Sequence, residues 1–181
     1  MARIIFVTGG CRSGKSRFAL EQANKNEEEK YFIATCPRID PEMDERIELH
    51  RQERKDWNTI EEELDLVNVI GSIPKDSIVL LDCLSLWVNN LMYHSSKNLT
   101  QEDIKRISIE LGNRISDSKI RIVYIVTNEV GMGLVPETKE GRLYRDFLGI
   151  CNQIFSSFSE EAYFLISGIP IQIKPSPSGI Q

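Results

Sequence analysis

Gly9-Gly10-Cys11-Arg12-Ser13-Gly14-Lys15-Ser16 carries the glycine, lysine and hydroxyl spacing G-x-x-x-x-G-K-[ST] of a loop that cradles phosphates. Glycines let the backbone curl until successive N–H groups face one anion, and a helix starting at Lys15 adds the positive end of its dipole. Lys15 then reaches the outer phosphates and the Ser16 hydroxyl takes a place on Mg²⁺, so the expected ligand is a nucleoside triphosphate. Asp82 closes the apolar run Ser77-Ile78-Val79-Leu80-Leu81. That is where a phosphate-loop protein carries its second Mg²⁺ element, binding the metal directly or through water. His50 has Arg46, Arg51 and Arg54 around it, more cation than a packing helix needs and suited to an anionic ligand. It also shares a helical face with Met43 and Ile47, so a packing histidine and a chemical one both remain open.

These side chains need a frame that brings them together. The apolar run Ile4-Ile5-Phe6-Val7 predicts a strand over 3–8, and the pattern after the loop a helix over 15–24. Tyr31-Phe32-Ile33-Ala34-Thr35 reads as a buried strand. Ligands of open α/β sheets lie beyond the carboxyl ends of the strands, so Ala34, Thr35 and Cys36 are candidates for nucleotide contact, with an ordinary strand end as the alternative. Asp40-Pro41 followed by acids predicts a helix from 40 to 54. Further strands are expected over 57–61, 77–82, 120–127, 163–167 and 171–174. Helices are expected over 65–73, 84–92, from Thr100 on, and over 141–161, the last with Leu143, Phe147, Ile150, Ile154 and Phe158 toward the core. His94 reads as an exposed loop residue, and Asn128-Glu129 are delivered to the carboxyl edge beside the loop 131–136. Short apolar runs alternating with amphipathic helices imply one α/β domain over 1–174 with a mostly parallel sheet, and a tail over 175–181.

The bulk properties narrow the function. The 181 residues carry 41% hydrophobic and 27% charged side chains, ordinary values for a globular protein. A net charge of -5 argues against nucleic acid as a partner, which calls for a basic face. Cys11, Cys36, Cys83 and Cys151 lack C-x-x-C spacing and read as reduced thiols. No apolar run approaches the roughly twenty residues of a membrane span, and the short run after Met1 is not a signal peptide, so a cytoplasmic protein without membrane attachment is expected.

Several stretches together resemble one family, the bifunctional adenosylcobinamide kinase / adenosylcobinamide-phosphate guanylyltransferases. They are Thr8 through Ser16, Tyr31-Phe32-Ile33-Ala34-Thr35, Asp44-Glu45-Arg46-Ile47-Glu48-Leu49-His50-Arg51, Trp57-Asn58-Thr59-Ile60-Glu61 and Leu81-Asp82-Cys83-Leu84. Thr127 through Pro136, Ser167-Gly168-Ile169-Pro170 and Lys174 complete the set. The resemblance implies a RecA-like P-loop NTPase fold and a homotrimer. It implies phosphorylation of the aminopropanol hydroxyl of adenosylcobinamide with ATP or GTP. GMP is then transferred from GTP through a guanylylated histidine, matched here by His50. Gly9, Gly10, Cys11, Arg12, Ser13, Gly14, Lys15, Ser16, Ala34, Thr35, Cys36, Arg51, Gln52, Glu53, Arg54, Glu61 and Asp82 are the positions it implies around the nucleotide, with Ser16 and Asp82 on Mg²⁺. Where some members carry two adjacent histidines this chain has Leu49-His50, which leaves one nucleophile.

The chemistry suits these residue types. Imidazole has an ordinary pKa of about 6.5, so its neutral form, able to attack the α-phosphorus and expel pyrophosphate, predominates near neutrality. A P-loop kinase of other specificity and a nucleotide-dependent switch ATPase are the competing functions.

Overall fold

A strand buried on both faces needs apolar residues at every position, and Ile4-Ile5-Phe6-Val7 supply them in β1 (Arg3–Gly9), which is exposed only at Arg3. In the computed structural model, which describes residues 1–37, 54, 56–95 and 99–175, β1 lies inside a seven-stranded sheet. The elements that follow are α1 (Lys15–Ala23), β2 (Lys30–Ala34), β3 (Asn58–Glu61), α2 (Leu66–Ser72), β4 (Ile78–Asp82) and α3 (Leu84–His94). Then come α4 (Gln101–Asp117), β5 (Ile122–Val126), α5 (Lys139–Phe158), β6 (Glu161–Ile166) and β7 (Ile169–Lys174). The strand order is β3-β2-β4-β5-β1-β6-β7. Every pairing is parallel except β6 with β7, which is antiparallel.

Strand residues alternate between two apolar layers because successive side chains leave opposite faces. Ile4, Phe6, Ile33, Val79, Leu81, Val123 and Ile125 pack with helices α2 to α5, through Leu66, Trp87, Leu111, Phe147 and Phe155. Ile5, Val7, Leu80, Tyr124 and Val126 face the other way, onto Ala19 and Ala23 of α1. Parallel pairing sends the ends of β1 to β5 to one edge of the sheet. The loop 9–16 opens from that edge.

The helix starts are written in short polar motifs. Thr100 and Asp103 form a reciprocal capping box at the head of α4. Asp65 accepts the Asn68 N–H at α2, and Thr138 accepts the Gly141 N–H at α5.

Three expectations need correction. α3 continues through His94, which closes the helix instead of sitting in a loop, exposed and 3.8 Å from Glu63. α5 starts at Lys139 because Thr138 caps it, and it stops at Phe158 because Glu160 donates its N–H to the Ile4 carbonyl and Glu161 pairs with Ile5. Its deepest residues are Phe147, Leu148, Cys151 and Phe155. The helix is therefore rotated from the expected stripe, with Ile150 and Phe158 at its margin. The helix expected over 40–54 lies outside the described residues, Arg54 excepted.

Gly9 ties the end of β1 to its neighbour. A Cβ added there would collide with the main-chain carbonyl oxygen of Leu165 on β6, an atom held by the sheet. Gly9→Ala is expected to lower stability by about 3 kcal/mol, read from the urea midpoint, because neither strand can retreat without losing pairing. A variant within about 0.5 kcal/mol of the parent would show that this close approach is not obligatory.

Candidate active site

The cradle forms because β1 ends on Gly9 and α1 begins six residues later at Lys15. Gly14 enters the helix with a left-handed φ of 92° and offers no side-chain cap, and the first turn of α1 holds no acid. The leading N–H groups of α1 are therefore left for an anion. Ser13 closes the loop with its N–H 3.3 Å from the Gly10 carbonyl. Lys15 is 7% exposed. Its Nζ donates to the Gly10 carbonyl at 2.6 Å and lies 3.5 Å from the Ser13 Oγ. Burial holds the Lys15 ammonium below the ordinary lysine pKa, and the negative charge of Asp82 partly offsets this. Asp82 is thus within electrostatic reach of Lys15, across the edge from β4 to the loop.

Ala34, Asp82 and Val126 stand level with one another at the ends of β2, β4 and β5, and Glu61 stands level with Ala34 at the end of β3. Ala34 and Cys36 are half-buried and Glu61 is exposed. Thr127 and Glu129 extend the line by donating their N–H groups to the Val7 and Gly9 carbonyls, each at 3.0 Å. The Glu129 carboxylate is turned back on its own loop, accepting the Gly131 N–H at 2.6 Å.

Two candidate nucleotide contacts, Thr35 and Arg54, also make close contacts within the chain. Thr35 is 0% exposed. Its hydroxyl donates to the Cys83 carbonyl and accepts the Cys83 N–H, both at 2.8 Å, and its own N–H goes to the Asp82 carbonyl at 3.2 Å. Asn90 donates to the Thr35 carbonyl at 2.8 Å. The side chain braces the backbone at Asp82 and Cys83. Arg54 is 7% exposed, with its guanidinium carbon 3.3 Å from the centroid of the Phe32 ring. Phe32 in turn meets Trp57 edge-on at 6.5 Å. This cation–π contact packs the guanidinium on β2.

A polar layer beneath this edge has no counterpart in the sequence reading. Asn128 donates to the Ser85 hydroxyl at 3.2 Å, Tyr144 to the Ser85 carbonyl at 3.2 Å, and Asn152 to the Asn128 carbonyl at 3.0 Å. Buried Asn90 and Asn152, each interrupting a helical face that is otherwise apolar, were the available signal. His50, Arg51, Gln52 and Glu53 lie outside the described residues.

The cysteines report on the cradle. Cys83 and Cys151 are buried, and burial pushes each thiol up to about 12, with the Asp82 charge adding to the shift at Cys83. Cys11 is exposed in the loop itself. With a thiol reagent at pH 8, Cys11 is expected to react first, Cys83 and Cys151 only after unfolding, and GTP to slow Cys11. Labelling of Cys11 at a rate indifferent to GTP would place the nucleotide elsewhere.

Known proteins resemble this one along nearly its whole length. The family profile CobU, cobinamide kinase / cobinamide phosphate guanyltransferase, matches residues 5–173. The bifunctional adenosylcobalamin biosynthesis protein CobU of Escherichia coli K12 is 37% identical over 181 residues, covering 94% of this chain and 99% of that protein. The protein of the same name from Salmonella typhimurium LT2 is 35% identical, with coverage of 94% and 99%. The bifunctional adenosylcobalamin biosynthesis protein CobP of Pseudomonas aeruginosa is 35% identical, with coverage of 94% and 97%. Among solved structures, a prototypical ATPase from a bacterial type III secretion system aligns with a TM-score of 0.57 at 12% identity, over 91% of this chain and 51% of that one. That likeness supports a P-loop NTPase fold and says nothing about substrate. No helix among the described residues is long and apolar enough to cross a membrane.

Proposed function

The chain belongs to the cobinamide kinase / cobinamide phosphate guanyltransferase family, and from that membership we propose that it phosphorylates adenosylcobinamide and then guanylylates the product. The observation that carries the reading is the cradle. A buried lysine is tied to the Gly10 carbonyl at the mouth of a helix whose first turn carries no acid, with Asp82 in electrostatic reach.

In the first reaction the aminopropanol hydroxyl attacks the γ-phosphorus of ATP or GTP and gives up its proton to water, the bond to the β-phosphate oxygen breaks, and the nucleoside diphosphate leaves. The loop N–H groups and Lys15 hold the phosphates in line, so positioning and charge stabilisation supply most of the catalysis. In the second, the His50 imidazole attacks the α-phosphorus of GTP and pyrophosphate departs. A phosphate oxygen of adenosylcobinamide phosphate then displaces the histidine, giving adenosylcobinamide-GDP. Ala34, Thr35, Cys36, Arg51, Gln52, Glu53, Arg54 and Glu61 complete the nucleotide set in this reading.

The donor chemistry fits Mg²⁺. The Ser16 hydroxyl beside Lys15 and the Asp82 carboxylate are hard oxygen ligands, and this ion takes only one or two protein ligands where phosphates supply the rest. When bound, it neutralises charge on the phosphate oxygens. The same reading gives one domain over 1–174, a homotrimer, to be measured by light scattering, and a cytoplasmic location.

The test is direct. With adenosylcobinamide, GTP and Mg²⁺, the protein is expected to form adenosylcobinamide-GDP and to release one pyrophosphate for each. GTP hydrolysis with the corrinoid left unchanged would contradict the proposal.

A further inference from the structure

The phosphate loop is gripped from both sides of β1. On one side Glu129, just past β5, donates its N–H to the Gly9 carbonyl at 3.0 Å; on the other Gly168 donates its N–H to the Ser13 carbonyl at 2.9 Å. Gly168 belongs to the two-residue turn Ser167-Gly168 that joins β6 to β7, closed by the pair Ile166 and Ile169. Both turn residues are left-handed, Ser167 at φ 51° and Gly168 at φ 84°, as the twist of a tight hairpin requires. The turn comes so close to the cradle that a Cβ built on Gly14 would lie 3.4 Å from the Gly168 Cα.

The peptide joining Ser13 to Gly14 is trans, and in a trans peptide the C=O and the N–H point in opposite directions. With the Ser13 carbonyl drawn out toward the hairpin, the Gly14 N–H is turned the other way, away from the hairpin. We propose that Gly168 is a positioning residue for phosphate binding: its N–H sets the Ser13–Gly14 peptide so that the Gly14 N–H is aimed at the bound phosphates. The inference rests on the reading of residues 9–16 as a triphosphate cradle. It assigns the edge hairpin a share in triphosphate affinity. The hydrogen bond links two loops far apart in sequence, so neither turn by itself discloses it.

The experiment compares GTP with guanosine, by calorimetry with Mg²⁺, on the whole protein and on two variants of position 168. The parent is expected to bind GTP much more tightly than guanosine. Equal affinities would overturn the cradle reading itself, whatever the variants do. Gly168→Val, β-branched at a left-handed φ, is expected to pull the turn out of place. It should weaken GTP by about tenfold or more, the scale of a lost anion-directed hydrogen bond, while guanosine affinity stays put. Gly168→Asn tolerates the left-handed region and keeps the N–H, so it should hold GTP within about twofold of the parent. A folded Val variant with parental GTP affinity overturns the clamp. So does equal loss in both variants, which would assign the effect to the added side chain, whose Cβ would lie 3.6 Å from the Arg17 guanidinium. A hairpin of purely structural importance would lower thermal stability and leave the ratio of GTP to guanosine affinity unchanged. Hydrogen exchange on the parent decides the matter if the Val variant does not fold: the Gly168 amide is expected to exchange at least about a hundredfold more slowly than a free peptide, and exchange at the free rate refutes the proposal.

Discussion

Lys15→Ala is expected to abolish both reactions, with kcat/KM for each down on the order of 10²–10³ or more, the scale for removing one donor aimed at developing charge in a dry site. Lys15 is held at 7% exposure against the Gly10 carbonyl and the Ser13 hydroxyl, inside the loop. It is an interior fixture and not a surface lysine that solvent could replace. Alanine leaves the Gly10 carbonyl without this donor and Asp82 without its nearby positive charge. The loop then loses its cation and a cross-link together. Steady-state assays of each half-reaction, with far-ultraviolet circular dichroism to establish folding, make the check. A folded Lys15→Ala protein that retains full guanylyl transfer would show that the triphosphate sits elsewhere.

His50→Ala should separate the two activities. Phosphorylation of adenosylcobinamide needs the cradle and a hydroxyl nucleophile from the substrate, so it should fall by no more than about threefold. Guanylyl transfer needs the imidazole to form and break the bond to phosphorus, and loss of a covalent nucleophile costs on the order of 10⁴ or more. The neighbour at position 49 is leucine and offers no second imidazole. Chromatography of the corrinoid products is therefore expected to show adenosylcobinamide phosphate accumulating with GTP present. Equal loss of both products in a folded variant would give His50 a structural role.

How much of this could be read from the residues depends on the distance over which each feature is decided. The phosphate loop is local: its glycines, Lys15 and Ser16 are contiguous, and the flanking strand and helix follow from an apolar run and a helical pattern within twenty residues. Asp82 was legible for the same reason, as a carboxylate closing a buried strand. Thr100 announced a helix start as its cap, whereas Asp65, expected as the first helical residue, caps α2. The start of α5 was not recognised, although Thr138 is a cap of the same kind. The intrachain contacts of Thr35 and Arg54 were not legible because their partners are remote or nonpolar. Nothing near Thr35 shows that its hydroxyl bridges both peptide groups of Cys83, and nothing near Arg54 shows that the Phe32 ring lies beneath it. The polar layer of Ser85, Asn128, Tyr144 and Asn152 joins the end of β5 to α3 and α5. Such a layer becomes visible only when the topology has brought those elements together.

The central claim is that one imidazole carries GMP between GTP and the corrinoid. It is tested most directly by incubating the protein with Mg²⁺ and GTP labelled at the α-phosphate, without corrinoid, and following radioactivity on the denatured chain. The account predicts up to one acid-labile, alkali-stable label per chain, the behaviour of a phosphorus–nitrogen bond. The label should be discharged by adenosylcobinamide phosphate and absent from His50→Ala. No label on a protein that nonetheless makes adenosylcobinamide-GDP, or undiminished label in His50→Ala, would contradict it.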